Sequence, residues 1–247
     1  MTTYLEAQIK NLIDSGGNRL LSGGFRGIEK ESLRITKDGQ IAQSPHPKAW
    51  GASLTHPFIT TDYSEALPEL ITPPSSNSKK SLSFLHELHH FLYEYMEEDE
   101  LLWAASMPCA VSDDKNIPIA QYGNSNVGKM KHIYRLGLDY RYGRRMQAIA
   151  GVHFNYSLPE HFWPIFKEYS QRDGFKTLTD FKNGSYFGMI RNYLRLGWII
   201  PLLFGSSPVV CKSFLAGNTA RFKKLFKGTY YVPNGTSLRM SDIGYKN

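Results

Sequence analysis

The 247-residue chain is poor in cysteine, with only Cys109 and Cys211. Two cysteines are too few to define a disulfide framework, which argues against the small secreted proteins that disulfides hold together. Each cysteine stands among apolar residues, and a buried free thiol is the usual outcome in that setting. We therefore expect no structural role for disulfide bonds.

Long hydrophobic runs are also missing. The longest apolar stretch, residues 196–204, contains Pro201 and is shorter than the roughly 20 residues that a membrane-spanning helix needs. The first residues lack a basic segment followed by an apolar core, and residues 3–13 have the spacing of an amphipathic helix. We expect a soluble, cytoplasmic protein that does not contact the membrane.

Dense basic tracts, internal repeats and linkers are absent as well. The formal net charge of +7 is spread along the chain, and its one local cluster, residues 221–227, is also compatible with a solvated loop or helix face. This balance suits a small anionic substrate better than nucleic acid. Nothing divides the chain, so we predict one domain over residues 1–247.

The most informative stretch is residues 151–158. Its alternation predicts a strand with His153, Asn155 and Ser157 on one face. The apolar residues on the other face should then contact the core; they are Val152, Phe154, Tyr156 and Leu158. The polar face has two interpretations, because it could either bind a ligand or form the solvated side of an antiparallel sheet.

A first pair of carboxylates lies near the start of the chain. Residues 28–35 read as a strand, and Asp38-Gly39 after it is a strong hairpin signal. Glu29 and Glu31 would then point to the same side, where two like charges repel. A solvated outer face would tolerate the two negative charges, but a bound cation explains their shared side more specifically.

A second acidic group lies in residues 60–74. Pro68 disfavours a helix there, and residues 69–72 read as a short strand that two prolines end. Asp62, Glu65 and Glu69 therefore lie in a turn and at a strand start, where side chains can converge. Carboxylates from two strands favour Mg²⁺ or Mn²⁺, which bind oxygen ligands and neutralise phosphate charge.

The remaining pattern mixes helices and strands without a βαβ rhythm. This favours an α+β class with an antiparallel sheet. Helices are predicted at residues 78–96, 128–137 and 184–196, a buried strand at 103–109, a turn at 140–143 and a core segment at 197–205.

Residues 86–90 match the His-Glu-x-x-His pattern of zinc metallopeptidases, in which two histidines one helical turn apart bind zinc. No third ligand stands nearby in an obvious motif. The solvated face of an amphipathic helix is therefore the favoured interpretation, and the zinc peptidase is the weaker alternative.

Residues 123–129 match the Gly-x4-Gly-Lys frame of a phosphate-binding P-loop, but Met130 replaces the required Ser or Thr. Pro118 also makes the preceding stretch a poor central strand. We reject a Walker-type ATPase, although the loop's backbone amides could still meet an anion.

Several segments together resemble the proteobacterial-type glutamate-cysteine ligases, also called γ-glutamylcysteine synthetases. One of them is Met146-Gln-Ala-Ile-Ala-Gly-Val-His-Phe-Asn-Tyr-Ser157. The others are residues 26–34, 61–73, 121–128, 134–138, 141–143 and 191–193. The likeness runs nearly end to end along this chain.

The resemblance implies a fold like the catalytic domain of glutamine synthetase, in which a curved, mainly antiparallel sheet forms a funnel with helices outside. It also implies an enzyme that joins L-glutamate to L-cysteine at the expense of ATP, the first step of glutathione synthesis. In that family ATP phosphorylates the glutamate γ-carboxylate, and the cysteine amine displaces the phosphate. Such phosphoryl transfer depends on metal clamping more than on a nucleophilic side chain.

The resemblance also implies roles for particular residues. The metal positions are Glu29, Glu31, Asp62, Glu69 and His153, with Mg²⁺ or Mn²⁺ as the ion. Asn155 corresponds to an active-site amide. His153 and Asn155 are therefore the two catalytic candidates. The cysteine pocket is Tyr134, Arg239 and Tyr245, with Tyr63 and Gln147 as neighbours. Glu65 is either a metal neighbour or an exposed residue.

Family members continue beyond the position of Asn247, so the resemblance is to an N-terminal portion with an incomplete funnel. The chain could be a truncated gene product, or half of a split enzyme whose second chain supplies the remaining strands. The alternative to a ligase is an inactive half that acts as a binding module.

Overall fold

The structure is a computed structural model, and it describes residues 4–108, 110–170, 172–205, 208–215 and 221–235. Helices and antiparallel strands are mixed along the chain, as the α+β prediction requires. The helices are α1 Tyr4–Asp14, α2 Gly17–Leu20, α3 Ser78–Glu94, α4 Asn126–Tyr142, α5 Arg144–Gln147, α6 Phe162–Tyr169, α7 Leu178–Leu196 and α8 Ile199–Phe204. The strands are β1 Phe25–Glu31, β2 Arg34–Thr36, β3 Ile59–Thr61, β4 Pro68–Ile71, β5 Glu100–Leu102, β6 Val152–Ser157, β7 Val209–Cys211, β8 Lys223–Phe226 and β9 Thr229–Tyr231.

A four-stranded antiparallel sheet with the order β3-β4-β1-β6 organises the described part of the chain. The strand predicted over residues 28–35 is two strands, because the chain leaves this sheet after Glu31 and β2 pairs with β5 instead. The Asp38-Gly39 hairpin is confirmed. Gly39 has a φ of 77°, and Ile35 bridges Ile41 across the turn. A third sheet has the order β7-β9-β8.

Helix α3 packs against β1 and β4 and covers one face of the main sheet. Asn77 caps its first turn by accepting hydrogen bonds from the backbone N–H groups of Lys79 and Lys80. Its buried residues Leu88 and Leu92 meet Leu70 of β4 in one apolar cluster. The predicted helix at residues 78–96 is thus confirmed, and its apolar stripe holds the sheet in place.

A buried ion pair joins β2 to β5. The Arg34 guanidinium is fully buried and donates a hydrogen bond of 2.7 Å to Glu100. It also donates to the carbonyl oxygens of Ser44, Pro45 and Glu65. One side chain therefore ties two loops to the strand pair.

Other predicted elements need correction. Residues 103–108 are not a strand, since β5 precedes them, and Cys109 lies outside the described residues. The predicted turn at 140–143 belongs mostly to α4, which continues to Tyr142 and ends at Gly143, whose φ is 76°. The predicted helices near 128–137 and 184–196 are present and longer than predicted, as α4 and α7.

Two apolar stretches that were predicted to be buried are exposed. Val152, Phe154 and Tyr156 of β6 are all exposed, and α3 packs on the neighbouring strands instead. In the segment 197–205, α8 also lies at the surface, where Phe204 is 80% exposed. Alternation separated the two faces of β6 correctly, but the assignment to the core was wrong for these three residues; Leu158, just after the strand, does pack against an apolar cluster.

Within the described residues, none of the helices is both long and apolar enough to cross a lipid bilayer.

Candidate metal and phosphate site

The strand register brings the acidic residues together on one face of the main sheet. Glu29 of β1 lies opposite His153 of β6, and Glu31 lies opposite Glu69 of β4. Glu29 and Glu31 are two residues apart on one strand, so their side chains leave the same face. Three adjacent strands therefore contribute to a single cluster.

Distances confirm that the cluster is tight. Ligand atoms of Glu29, Glu69 and His153 all lie within 4.8 Å of one another. The His153 Nδ1 atom is 2.9 Å from Oε2 of Glu29, and its Nε2 atom is 3.7 Å from Oε1 of Glu31. Within the described ranges, this is the one group of three or more such residues whose spacing suits a metal ion.

Neighbouring groups orient the carboxylates. The Asn155 amide donates a hydrogen bond of 2.8 Å to Oε1 of Glu29, so β6 contacts both oxygens of that carboxylate. Asn155 lies opposite Gly27, which has no side chain to separate the amide from Glu29. On the other side, the backbone N–H of Gly151 donates to Oε2 of Glu31 at 2.7 Å.

Asp62 enters the site from the turn after β3, where two side chains hold its backbone. The Tyr122 hydroxyl lies 2.9 Å from the Asp62 carbonyl oxygen and 2.7 Å from that of Thr61. The Arg135 Nε group donates to the same Asp62 oxygen, and its guanidinium stacks on the Tyr122 ring. The position of Asp62 therefore depends on α4 and on the loop before it.

Electrostatics show how crowded the site is. The pKa of Glu69 is raised to about 7, first by burial and then by the negative charges of Asp62, Glu31 and Glu29. A divalent cation would relieve this repulsion, and carboxylate oxygens with one imidazole suit Mn²⁺ as well as Mg²⁺. The residues present thus fit the ion that the resemblance implies.

A cavity of about 350 Å³ lies beside the carboxylates. Glu29 and Asn155 form part of its wall, while Phe25 and Ile71 supply apolar surface. A ligand in this cavity could therefore meet both a charged and an apolar wall.

Comparison with known proteins identifies the family. A family model for glutamate-cysteine ligase matches residues 9–247. This chain belongs to the glutamate-cysteine ligase family. A glutamate-cysteine ligase from Alcanivorax borkumensis is 50% identical over 99% of the chain, and one from Shewanella amazonensis is 52% identical over the same share.

Solved structures agree with this family assignment. Glutamate-cysteine ligase from Francisella tularensis in complex with AMP matches 90% of the chain with 38% identity and a TM-score of 0.81. A bifunctional glutathione synthetase from Pasteurella multocida matches 97% with 31% identity and a TM-score of 0.79. The predicted fold class, helices with antiparallel sheets in a ligase fold of this family, is thereby confirmed.

The chain spans about half the length of the curated relatives that it matches. It covers 46% of both the Alcanivorax and the Shewanella ligases, and 43% of the Francisella structure. The likeness is therefore to the N-terminal portion of a family member, as the sequence motifs implied.

Three of the five residues implied for amino-acid binding lie in the described part of the chain, and they differ in exposure. Tyr63 is buried among apolar core residues, and burial raises the pKa of its hydroxyl. Gln147 is also buried, whereas Tyr134 of α4 is 64% exposed. Arg239 and Tyr245 lie outside the described residues. These five assignments remain predictions.

Glu65 is neither a metal neighbour nor a simple exposed residue. Its two carboxylate oxygens accept hydrogen bonds from the backbone N–H groups of His46 and Gln121, at 2.9 and 2.7 Å. It joins the loops that contain His46 and Gln121, and Gln121 lies 56 residues after Glu65 in the sequence. Sequence reasoning missed this structural role because nothing local indicates a long-range backbone partner.

The P-loop rejection agrees with the structure. The stretch before Gly123 has only an isolated bridge between Ile119 and Ser64, not a strand. Ser125 caps α4 by accepting a hydrogen bond from the N–H of Gly128. That amide is thus already occupied by the chain's own side chain.

Gly151, Tyr122 and Arg135 were not among the predicted site residues. Tyr122 and Arg135 lie in segments that carry the family resemblance, and this position was the signal that could have marked them as site residues. Their contacts are with backbone atoms of residues far away in sequence. No local pattern identifies such contacts.

Proposed function

We propose that this chain forms the metal-binding part of an ATP-dependent ligase active site, which joins the γ-carboxylate of L-glutamate to the amine of L-cysteine. The observation that carries this proposal is the convergence of Glu29, Glu69 and His153 from three adjacent strands. The names of the relatives and the AMP complex of the Francisella ligase support the substrates and the nucleotide.

Glu29, Glu69 and His153 would hold Mg²⁺ or Mn²⁺, with Glu31 and Asp62 as further carboxylates. The ion would neutralise phosphate charge while ATP phosphorylates the glutamate γ-carboxylate to γ-glutamyl phosphate. Asn155 and the Gly151 amide keep the carboxylates of Glu29 and Glu31 oriented. The chain's own contribution is thus to position charge, and the cysteine amine is the nucleophile.

Amino-acid recognition would involve the residues implied by the family resemblance. An arginine facing a carboxylate and tyrosines around a small side chain suit an amino acid. The proposed residues are Tyr63, Tyr134, Gln147, Arg239 and Tyr245. Cytoplasmic location and the absence of nucleic-acid and membrane partners remain predictions.

A second candidate is a half-enzyme that needs another chain to complete the funnel. Exposed apolar residues on β6, an outer strand of the main sheet, favour this alternative. Among the described residues β6 pairs with β1 on one side only, and its Phe154 side chain is 65% exposed. An outer strand of this kind can pair with another chain.

The test is ADP release by the purified chain with ATP, Mg²⁺, glutamate and cysteine, each amino acid being omitted in turn. Release that requires both amino acids would support the complete ligase reaction. Glu29→Gln and Glu69→Gln should each abolish it, while the circular dichroism spectrum stays native. Full turnover in either variant would contradict the metal assignment.

The half-enzyme alternative predicts a different result. The folded chain alone would release no ADP, and activity would appear when the C-terminal half of the Alcanivorax ligase is added as a separate chain. Failure of both experiments, with both chains folded, would overturn the proposed ligase function.

A further inference from the structure

Helix α3 carries two exposed histidines on the side away from the core. His86 and His90 are one turn apart, and their Nε2 atoms are 3.2 Å from each other. The ring centroids are 4.6 Å apart and the planes are nearly perpendicular, at 88°. Buried Leu88 and Leu92 anchor the opposite side of the helix in the core.

We propose that His86 and His90 form a two-histidine chelate for a divalent transition-metal ion such as Zn²⁺. Two nitrogens bound tetrahedrally to one zinc ion, at Zn–N distances of about 2.0–2.1 Å, lie about 3.3 Å apart. Neighbouring nitrogens in square-planar or octahedral coordination lie about 2.9 Å apart. The observed separation falls between these values, so the two nitrogens already have a chelating spacing, and the rings would rotate to direct both lone pairs at the ion.

The ligand atoms separate this site chemically from the carboxylate cluster. Imidazole suits Zn²⁺, Cu²⁺ and Ni²⁺, whereas Mg²⁺ prefers oxygen ligands. Each ring would bind the ion through the lone pair of Nε2 and keep its single hydrogen on Nδ1, so a ring that carries the hydrogen on Nε2 would first move it to Nδ1 by exchange with water.

This chelate is not the zinc peptidase that residues 86–90 suggested. In the part of the chain that the structure describes, no third histidine, cysteine or carboxylate has a ligand atom close enough to join the pair. Water would complete the coordination. The site therefore binds an ion without the three protein ligands that a catalytic zinc centre uses.

Zinc titration by calorimetry tests the proposal. The chain should carry His153→Gln throughout, so that zinc at the carboxylate cluster does not mask the second site. We expect one ion per chain at pH 7.5, with His86→Gln or His90→Gln each weakening the affinity at least tenfold.

His89→Gln is the matched control on the same helix. The Nδ1 group of His89 donates to the Leu85 carbonyl oxygen at 2.8 Å, so this ring is held by the helix itself. Its replacement should change the zinc affinity less than twofold. Unchanged zinc binding in the His86→Gln/His90→Gln double variant, or no binding by the folded parent chain, would overturn the proposal.

Discussion

Glu31 and Glu69 lie at directly opposed positions of neighbouring strands, on the face that also carries Glu29 and His153. Like charges opposite one another destabilise a sheet unless a proton or a cation separates them. Burial first, and then the negative charges of Asp62, Glu31 and Glu29, raise the pKa of Glu69 to about 7. The sheet therefore holds a proton near neutral pH that a divalent cation can displace.

Metal-free protein should lose stability as the pH rises. The pKa of Glu69 is about 7 in the folded chain, against 4.5 as its ordinary value. The folded state therefore retains a proton that the unfolded state releases, and this contribution is lost as the pH rises through 7. We expect a loss of about 1 kcal/mol between pH 5 and 8, after allowing for solvent screening.

Urea unfolding at pH 5 and 8 measures this effect. Glu69→Gln should flatten the pH dependence of the free energy of unfolding. In the wild-type protein, saturating Mg²⁺ should restore the stability that is lost at pH 8. Parallel pH profiles for the wild type and Glu69→Gln would show that Glu69 does not hold the proton.

Asn155→Ala should weaken Mn²⁺ binding by about tenfold, because outer-shell hydrogen bonds orient metal ligands. The variant loses the 2.8 Å hydrogen bond to Glu29. Electron paramagnetic resonance of free Mn²⁺ measures the affinity directly. Ser157→Ala, two residues along the same face, is the control and should bind Mn²⁺ like the wild type; equal losses in both variants would count against a specific role for Asn155.

Gly151→Ala should impair metal binding more than Gly27→Ala does. A Cβ atom at Gly151 would lie 3.3 Å from Nε2 of His153 and 3.5 Å from Oε2 of Glu31. At Gly27 the closest atoms would be 3.8 Å away, an ordinary contact. Mn²⁺ affinity and thermal unfolding of the two variants test this difference; similar affinities would show that the ligands adjust without cost.

Glu100→Gln should strongly destabilise the fold. It leaves the fully buried Arg34 without its charged partner, and breaking a buried ion pair costs about 3–5 kcal/mol. Asp99→Asn breaks the neighbouring exposed pair with Lys37 and should have no measurable effect. Urea unfolding of both variants measures the contrast, and equal midpoints would show that Arg34 does not depend on Glu100.

Much of the candidate site could be predicted from alternation alone. Strand periodicity places Glu29 with Glu31, and His153 with Asn155, on common faces. The structure confirms both pairs. The Asp38-Gly39 turn was also predictable, since glycine readily adopts the positive φ that the turn requires.

The register that joins the strands could not be read in the same way. Local spacing does not specify that Glu31 meets Glu69, or that Glu65 binds the backbone of His46 and Gln121. These contacts join residues far apart in sequence. They depend on how the strands and loops pack, so sequence reasoning left Glu65 as either a metal neighbour or an exposed residue.

The sequence by itself determined the long helices, the Asp38-Gly39 turn, the shared faces of the strands and the family motifs, because each depends on residues that are close together or recognisable in order. Only the tertiary structure decided that both faces of β6 are exposed and which carboxylates converge. Val152 and Phe154 are apolar yet exposed, since burial depends on whether another element packs against them. Hydrophobic character favours burial, but it does not supply the covering surface.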